Sequence, residues 1–537
     1  MRYGTLVTQL LDLKKRSHTY KGQMQVIVSR ANKALVLPPE PAALSMFPGA
    51  PQLQGGNIIV PHGVRETLIM RHLGVEVPNP MLAYYDWVGG KPYAVQRATC
   101  KLLTEHPRAY VLNDLGTGKT KTVLWAWDYL NKCGLAKKLL VVAPLSTLNF
   151  VWAREIFGTL PHRKCVILHG TRQDRLDRLS TDADIYVVNH DGLKVIGEAL
   201  QARADIDVLA IDELACYRNN SERSKHMRKF AARFTYVWGM TGKPMPHEPV
   251  DVWGQCMIIT PHTVPKYRQR CKEILMVKQS TYVWTTKPDA VERAFKMMQP
   301  SVRYTLSDVT ELPPLSYRDI DVGMSAEQAK VYKKVAGTMQ AMIKDRQINA
   351  VNAGAAMNKL LQIAGGWVYT KNPEFVRLDP TPRVVALADI LAGATEKVLV
   401  AIPYRHMIEG ISNILNMKGV EIDHCVVHGD TKDRDTIFNL FQNTNKYEVM
   451  LVHPQCVAHG LTLTRATTIV WYVPTTSLEI YDQFNARITR IGQQFRQQII
   501  HLYGTPVEKK VYRMLRLHQK MQQSFLKMVE DATGEAV

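Results

Sequence analysis

The segment AYVLNDLGTGKTKTVLWAWDYLN, Ala109 to Asn131, decides how the chain reads. It opens with a short apolar run, as a buried strand does, and closes with a helix pattern. The turn between them, Asn113 to Thr120, is close to the phosphate-cradle pattern G-x-x-x-x-G-K-[ST], with Asn113 where the first glycine stands. Gly116 and Gly118 flank Thr117 and let backbone N–H groups approach phosphates with no Cβ in the way. Lys119 would reach the β- and γ-phosphates, and the Thr120 hydroxyl would ligate Mg²⁺. The bland alternative is a helix N-terminus without a ligand.

Working outward, short β-branched runs alternate with helical patterns from about residue 89 to 300: KKLLVVAP, KCVILHG, ADIYVVNH, IDVLAIDE and FTYVWGMTG. Such near-continuous apolar strands imply a parallel sheet covered on both faces, hence α/β architecture. After a bridge over 301–320 the pattern restarts in 321–537 with KVLVAI, DHCVVHG, EVMLVHP and TTIVWYV. The expectation is two tandem parallel-sheet lobes. A basic, helical insertion occupies about 262–300, and the tail VEKKVYRMLRLHQKMQQSFLKMVEDA is helical and amphipathic.

Residues 1–88 read as a small accessory region, or equally as an extension of the first lobe. The opening is basic, and LPPEPAALSMFPGAPQLQGG breaks regular structure. NIIVP is strand-like and HGVRETLIMRHLG helix-like.

Two further pieces support a nucleotide site. VLAIDEL is a strand ending in Asp212 and Glu213. The first would hold the metal and the second would orient and deprotonate an attacking water; two carboxylates capping the next helix are the weaker alternative, given G-x-G-K-T upstream. Far downstream, YDQFNARITRIGQ sets Arg487 and Arg490 one helical turn apart. Paired cations there can stabilise a transferring phosphoryl group, although a solvated basic face is the commoner use of such a pair.

The bulk numbers fit. A 537-residue chain exceeds one ordinary core, and 46% hydrophobic with 22% charged residues is globular composition. The net charge of +20 suits a polyanionic partner. No apolar run approaches a bilayer span, and the N-terminus lacks a signal-peptide pattern. Eight scattered cysteines, none in a C-x-x-C pair, exclude zinc spacing and fit reduced thiols in a cytoplasmic protein.

In this order the motifs resemble superfamily-two helicase-like ATPases, specifically the Swi/Snf type of DNA translocase, from about 90 to 530. KPYAVQ is similar to the motif before the loop, which implies that Gln96 reads adenine. NDLGTGKT is similar to D-E-M-G-L-G-K-T, which also lacks the first glycine. VVAPLSTLNFVWAREI implies Ser146 and Thr147 as nucleic-acid contacts and Trp152 as a packing residue. IDELACYRNNSER resembles D-E-x-H-x-x-K-N, with Cys216 and Tyr217 following where a coupling histidine is usual. GMTGKPMPHEPVDVWGQ resembles L-T-G-T-P…D-L-W and implies coupling through Thr241 and Gly242, with Lys243 in place of a threonine. VVHGDTKDRDTIFNLFQ and the run from Met450 to Gln493 resemble the last motifs, with His453, Val457 and Ala458 as departures. The H-P-Q…H-G-L-T-L and D-E-L-A forms look most like compact bacteriophage and bacterial members.

The resemblance implies two RecA-like lobes closing on ATP and Mg²⁺, with Gly460 and Gln483 added to the ATP contacts. It also implies sequence-independent contacts to DNA, duplex or forked, from Ser146, Thr147, Asn189, Gly429, Thr431, Thr462 and Thr464. No residue identifies a strand-separating wedge. The rivals are a metabolic phosphate-loop kinase, an RNA helicase, and a DNA-binding protein with a decayed ATPase core.

Overall fold

The computed structural model describes residues 26–517, apart from 54, 281–282, 345–349, 370–374, 418–419, 421, 458–461 and 491. The basic opening segment and the end of the tail lie outside these residues, as does Gly460.

Three short strands, β1 (Ile27–Ser29), β2 (Ala34–Leu37) and β3 (Ile58–Pro61), form an antiparallel sheet. Leu35, Leu37, Ile58, Val60 and Met70 give it a core of its own. The Pro-rich stretch does not break all regular structure, because Pro41 sits at the first turn of the helix Pro41–Met46. There its missing N–H costs nothing. Val64, Met81 and Tyr85 pack into the core of the next lobe instead. Arg71 pairs with Glu105 there, with Nη2 to Oε1 at 2.8 Å, and the Tyr85 hydroxyl donates to Asp128 at 2.7 Å. The region is thus a small sheet stapled to the first lobe.

The first lobe holds β4 (Arg108–Val111), β5 (Lys138–Ala143), β6 (Cys165–Leu168), β7 (Ile185–Asn189), β8 (Ile206–Ile211) and β9 (Tyr236–Met240). A hairpin of β10 (Met276–Lys278) and β11 (Trp284–Thr286) follows, then β12 (Ser301–Val302). The insertion is therefore not wholly helical: the hairpin separates the helices Arg268–Leu275 and Ala290–Met297. Cys271, Leu275, Ala290 and Ala294 bury it against the lobe.

The seven-stranded sheet runs β12-β4-β9-β8-β5-β7-β6, with all six pairings parallel. Its two faces carry separate apolar clusters, one with Leu140, Val142 and Ile211 and the other with Val141, Ala143 and Trp238. Alternate residues of one strand feed opposite faces, which is why these strands read as unbroken apolar runs.

The second lobe begins with β13 (Leu315–Asp321). A small hairpin, β14 (Trp367–Tyr369) and β15 (Phe375–Arg377), precedes β16 (Lys397–Ala401), β17 (His424–Val427), β18 (Val449–Val452), β19 (Ala466–Trp471) and β20 (Gln497–Tyr503). The six-stranded sheet runs β13-β20-β19-β16-β18-β17, again with parallel pairings. The two ends of the bridge serve different lobes, since β12 extends the first sheet and β13 the second. Residues 506–517 are helical and return to the second lobe, where Val511, Tyr512 and Leu515 join its core. All eight cysteines are free. Among the described residues no helix is long and apolar enough to cross a membrane.

Candidate active site

The phosphate loop leaves the C-terminal end of β4 and enters the helix Lys119–Lys132. Gly116 and Gly118 have φ of 88° and 79°, left-handed values that suit glycine. A Cβ on Gly118 would lie 2.3 Å from Gln96 Nε2. Gln96 is buried, accepts from the Tyr93 N–H at 2.9 Å and sits against the Thr117 carbonyl. It thereby joins the preceding helix to the loop. The Lys119 ammonium donates to the Asn113 and Asp114 carbonyls, each at 2.9 Å. Burial pulls it below the usual lysine range, against the opposing charges of Glu213, Asp212 and Asp114. Thr120, half-buried, follows in the first helical turn.

Asn113 differs from its expected role. Its side chain is 1% exposed, donates to the Thr99 hydroxyl at 3.0 Å and accepts from the Tyr304 N–H at 2.9 Å. It is a clamp at the base of the loop, not a surface turned to phosphates. Arg303 adds a second clamp by pairing with Asp114 at 2.6 Å and donating to the Leu112 carbonyl at 2.9 Å.

Asp212 and Glu213 directly follow β8, two strands from β4 across β9. Asp212 Oδ2 accepts from the Trp152 indole N–H at 3.0 Å, and Oδ1 from the Glu213 N–H at 3.1 Å. Trp152 is fully buried at the end of the irregular helical turn Leu148–Ala153. Glu213 has φ 51° and ψ 54°, a left-handed conformation uncommon outside glycine. Burial, and then the Asp212 charge, push its carboxyl up to about 7, while Lys119 works the other way.

The donors fit Mg²⁺ carried in with a triphosphate: a hydroxyl at Thr120, a carboxylate at Asp212, and substrate oxygens for the rest. Among the described residues no group of three His, Cys, Asp or Glu side chains forms a dedicated metal cage.

The second lobe supplies the far wall. Arg487 is 1% exposed, its Nε donating to the Gln483 carbonyl at 2.8 Å. Burial and then Arg490 lower its basicity, and Glu213 on the first lobe is the carboxylate that supports its charge. Arg490 donates to the Thr462 hydroxyl at 3.2 Å, and burial brings it down to about 10. Glu213 also feels Glu479, from the helix Leu478–Asn485 that leads into Arg487. Glu213 and Arg487 therefore lie within electrostatic reach of each other, one from each lobe. Gln483 is buried, with its amide beside Glu479.

Thr241, also buried, accepts from the Lys243 N–H at 3.1 Å, and its own N–H donates to the Val111 carbonyl. A Cβ on Gly242 would lie 3.6 Å from the Asn113 carbonyl, so this segment runs beside the phosphate loop. Lys243 pairs with Asp482 of the second lobe.

The residues expected at a nucleic acid differ in presentation. Ser146, Gly429 and Thr462 are exposed. Thr147 is buried with its hydroxyl on the Pro144 carbonyl, and Asn189 is buried with its Oδ1 held by Arg175 at 2.9 Å. Thr431 accepts from the His428 N–H at 2.9 Å, and Thr464 from Gln442 at 3.2 Å.

Sequence reasoning passed over Arg303 and gave Trp152 only packing. A buried position on a segment already matched to a motif was the available signal for Trp152, whereas nothing local marked Arg303.

Comparison with known proteins finds two family matches along the chain. The SNF2-related domain family matches residues 96–366, and the helicase conserved C-terminal domain matches residues 383–492. Protein p41 of Acyrthosiphon pisum secondary endosymbiont phage 1 is 26% identical over 439 residues, covering 76% of this chain and 90% of p41. An ATP-dependent helicase of Mycoplasma genitalium is 24% identical over 78% of this chain, which spans only 40% of that helicase. A Sulfolobus solfataricus SWI2/SNF2 ATPase core solved with dsDNA aligns over 84% of this chain and 97% of its own, at TM-score 0.41 and 18% identity. With one family model matching half of the chain and a helicase C-terminal model following it, the chain belongs to the SNF2-related family of helicase-like ATPases.

Proposed function

We propose that the chain hydrolyses ATP at the seam of its two lobes and uses the cycle to move along DNA, without reading sequence. The observation that carries this is that the phosphate loop and its acidic neighbours lie on the first lobe, while Arg487 comes from the second, just beyond the helix whose Asp482 pairs with Lys243 beside that loop. One lobe alone can bind a triphosphate, but the arginine arrives only when the lobes approach. Hydrolysis and lobe movement are then linked, as a motor requires.

In this reading Lys119 and the loop amides hold the phosphates, while Asp212 and Thr120 would hold Mg²⁺, which would supply charge to neutralise the phosphates. Glu213 takes the proton of the attacking water. Arg487 and Arg490 meet the charge that builds on the transferred group. Ser146, Gly429 and Thr462 provide exposed phosphate contacts, one on the first lobe and two on the second, so that alternating grip advances the protein. Thr147, Asn189, Thr431 and Thr464 shape the turns behind them. Duplex DNA is the proposed track, and the cytoplasm of a bacterial or phage-infected cell the proposed setting. The p41 likeness and the free cysteines support that setting.

The test is ATP turnover measured with no nucleic acid, single strands, duplex, forked DNA and RNA. Duplex is expected to stimulate most, and turnover indifferent to DNA overturns the reading. Lys119→Ala is expected to abolish turnover and leave DNA binding in place.

A further inference from the structure

Lys243 is the residue at which this chain departs from the T-G-T-P pattern, and the structure gives the substitution a partner. Its ammonium pairs with the Asp482 carboxylate, with the two side chains 22% and 9% exposed. Lys243 follows the segment that runs along the phosphate loop in the first lobe. Asp482 lies in the second lobe, on the helix Leu478–Asn485, and its carbonyl accepts from the Ala486 N–H. Arg487 follows at once and is tied to the carbonyl of Gln483.

The charges around the pair favour this arrangement. Burial pulls the Lys243 ammonium down to about 7, while Asp114, Glu213 and Glu479 support its charge and the cation Arg303 opposes it. Glu479 and Asp482 occupy successive turns of one helix and so point to one side. The first lobe offers Glu213 to the same space. Without a cation, carboxylates from the two lobes would face one another and push the seam open. A threonine at 243 could not offset them.

We infer that Lys243 is a positioning residue whose ion pair with Asp482 sets the arginine-bearing helix of the second lobe at a fixed register against the phosphate loop. The strut rests on the two-lobe ATPase reading but is separable from it. It acts on the approach of the lobes, not on nucleotide binding within the first lobe. Its loss therefore lowers kcat and spares KM.

The experiment compares Lys243→Met, Lys243→Arg, Asp482→Asn and the double variant Lys243→Met/Asp482→Asn in DNA-stimulated ATP turnover. Each neutralising single change is expected to lower kcat about tenfold, with KM for ATP within about twofold of the parent. Lys243→Arg keeps the charge and restores kcat to within about threefold. The double variant is expected to be no slower than the worse single, because each member acts through the other. Small-angle scattering supplies a readout besides activity, with Lys243→Met expected to have a larger radius of gyration than the parent.

The inference is overturned if Lys243→Met turns over at the parent rate, if the two single effects multiply in the double, or if Lys243→Arg is as slow as Lys243→Met. An unchanged radius of gyration for a folded Lys243→Met also overturns it. A parent protein that DNA does not stimulate defeats the wider reading instead, and the scattering comparison still judges the strut.

Discussion

The indole N–H of Trp152 donates to Asp212 Oδ2 at 3.0 Å, joining the segment that follows Ser146 and Thr147 to the carboxylate at the end of β8. If Asp212 ligates Mg²⁺ as proposed, this hydrogen bond would fix its orientation, and loss of such a bond typically costs about 10–100-fold in metal affinity or activity. Trp152→Phe keeps most of the packing and removes the donor. The expected result is about tenfold slower turnover with a higher Mg²⁺ concentration for half-activation. A magnesium titration checks this, and an unchanged midpoint with unchanged rate refutes the positioning role.

Asn113 stands where the cradle pattern has glycine, and restoring the pattern is expected to harm the protein. Asn113→Gly deletes the bonds to Thr99 and to the Tyr304 N–H and strands that N–H, while the Thr99 hydroxyl keeps its bond to the Val95 carbonyl. The expected cost is about 1–3 kcal/mol of stability, with slower turnover as the loop loses its base. Denaturant unfolding and steady-state kinetics check both. A stabler, faster variant would show that the side chain is not a clamp.

Glu213, the proposed base, is expected to carry the pH dependence. Burial and the Asp212 charge hold its carboxyl at about 7, and a base must be ionised to accept a proton. Below that pH the carboxyl is protonated, so kcat/KM, which reports the free enzyme, is expected to fall as pH drops through about 7. Were the profile flat between about pH 5 and 8, Glu213 would not be the base.

Arg383 and Glu508 form an ion pair inside the second lobe at 2.9 Å, with side chains 1% and 0% exposed. Glu508 also accepts from the Gly504 N–H and the Thr505 hydroxyl. Removing one partner strands the other charge in the interior, which costs about 3–5 kcal/mol. Glu508→Gln or Arg383→Met is expected to unfold the second lobe first, followed by denaturant titration. A loss below about 1 kcal/mol would show that water reaches the pair.

Much of the fold was legible because parallel strands buried on both faces must be apolar throughout. KKLLVVAP and EVMLVHP announce β5 and β18 without help from their neighbours. β20 was missed for the converse reason: Gln497, Gln498 and His501 look like a surface segment. In the structure Gln497 is 1% and His501 0% exposed. Their polar atoms are met by Thr489, Pro313, Tyr481 and Asp319. β1 and β2 were hidden by their brevity and by the basic turn between them.

By itself the sequence determined the α/β class, the repetition of the lobe, and the local chemistry of the phosphate loop, the acidic strand end and the arginine pair. Each of these depends on residues close together in the chain, where periodicity and turn geometry act directly. Tertiary structure alone decided that Asn113 faces inward, that Arg303 and Trp152 hold the loop and Asp212, and that Lys243 meets Asp482 across the seam. These are meetings of distant segments, set by sheet order and by the docking of two bodies. No local pattern encodes them, because the energy of such a contact exists only after the chain has brought its partners together.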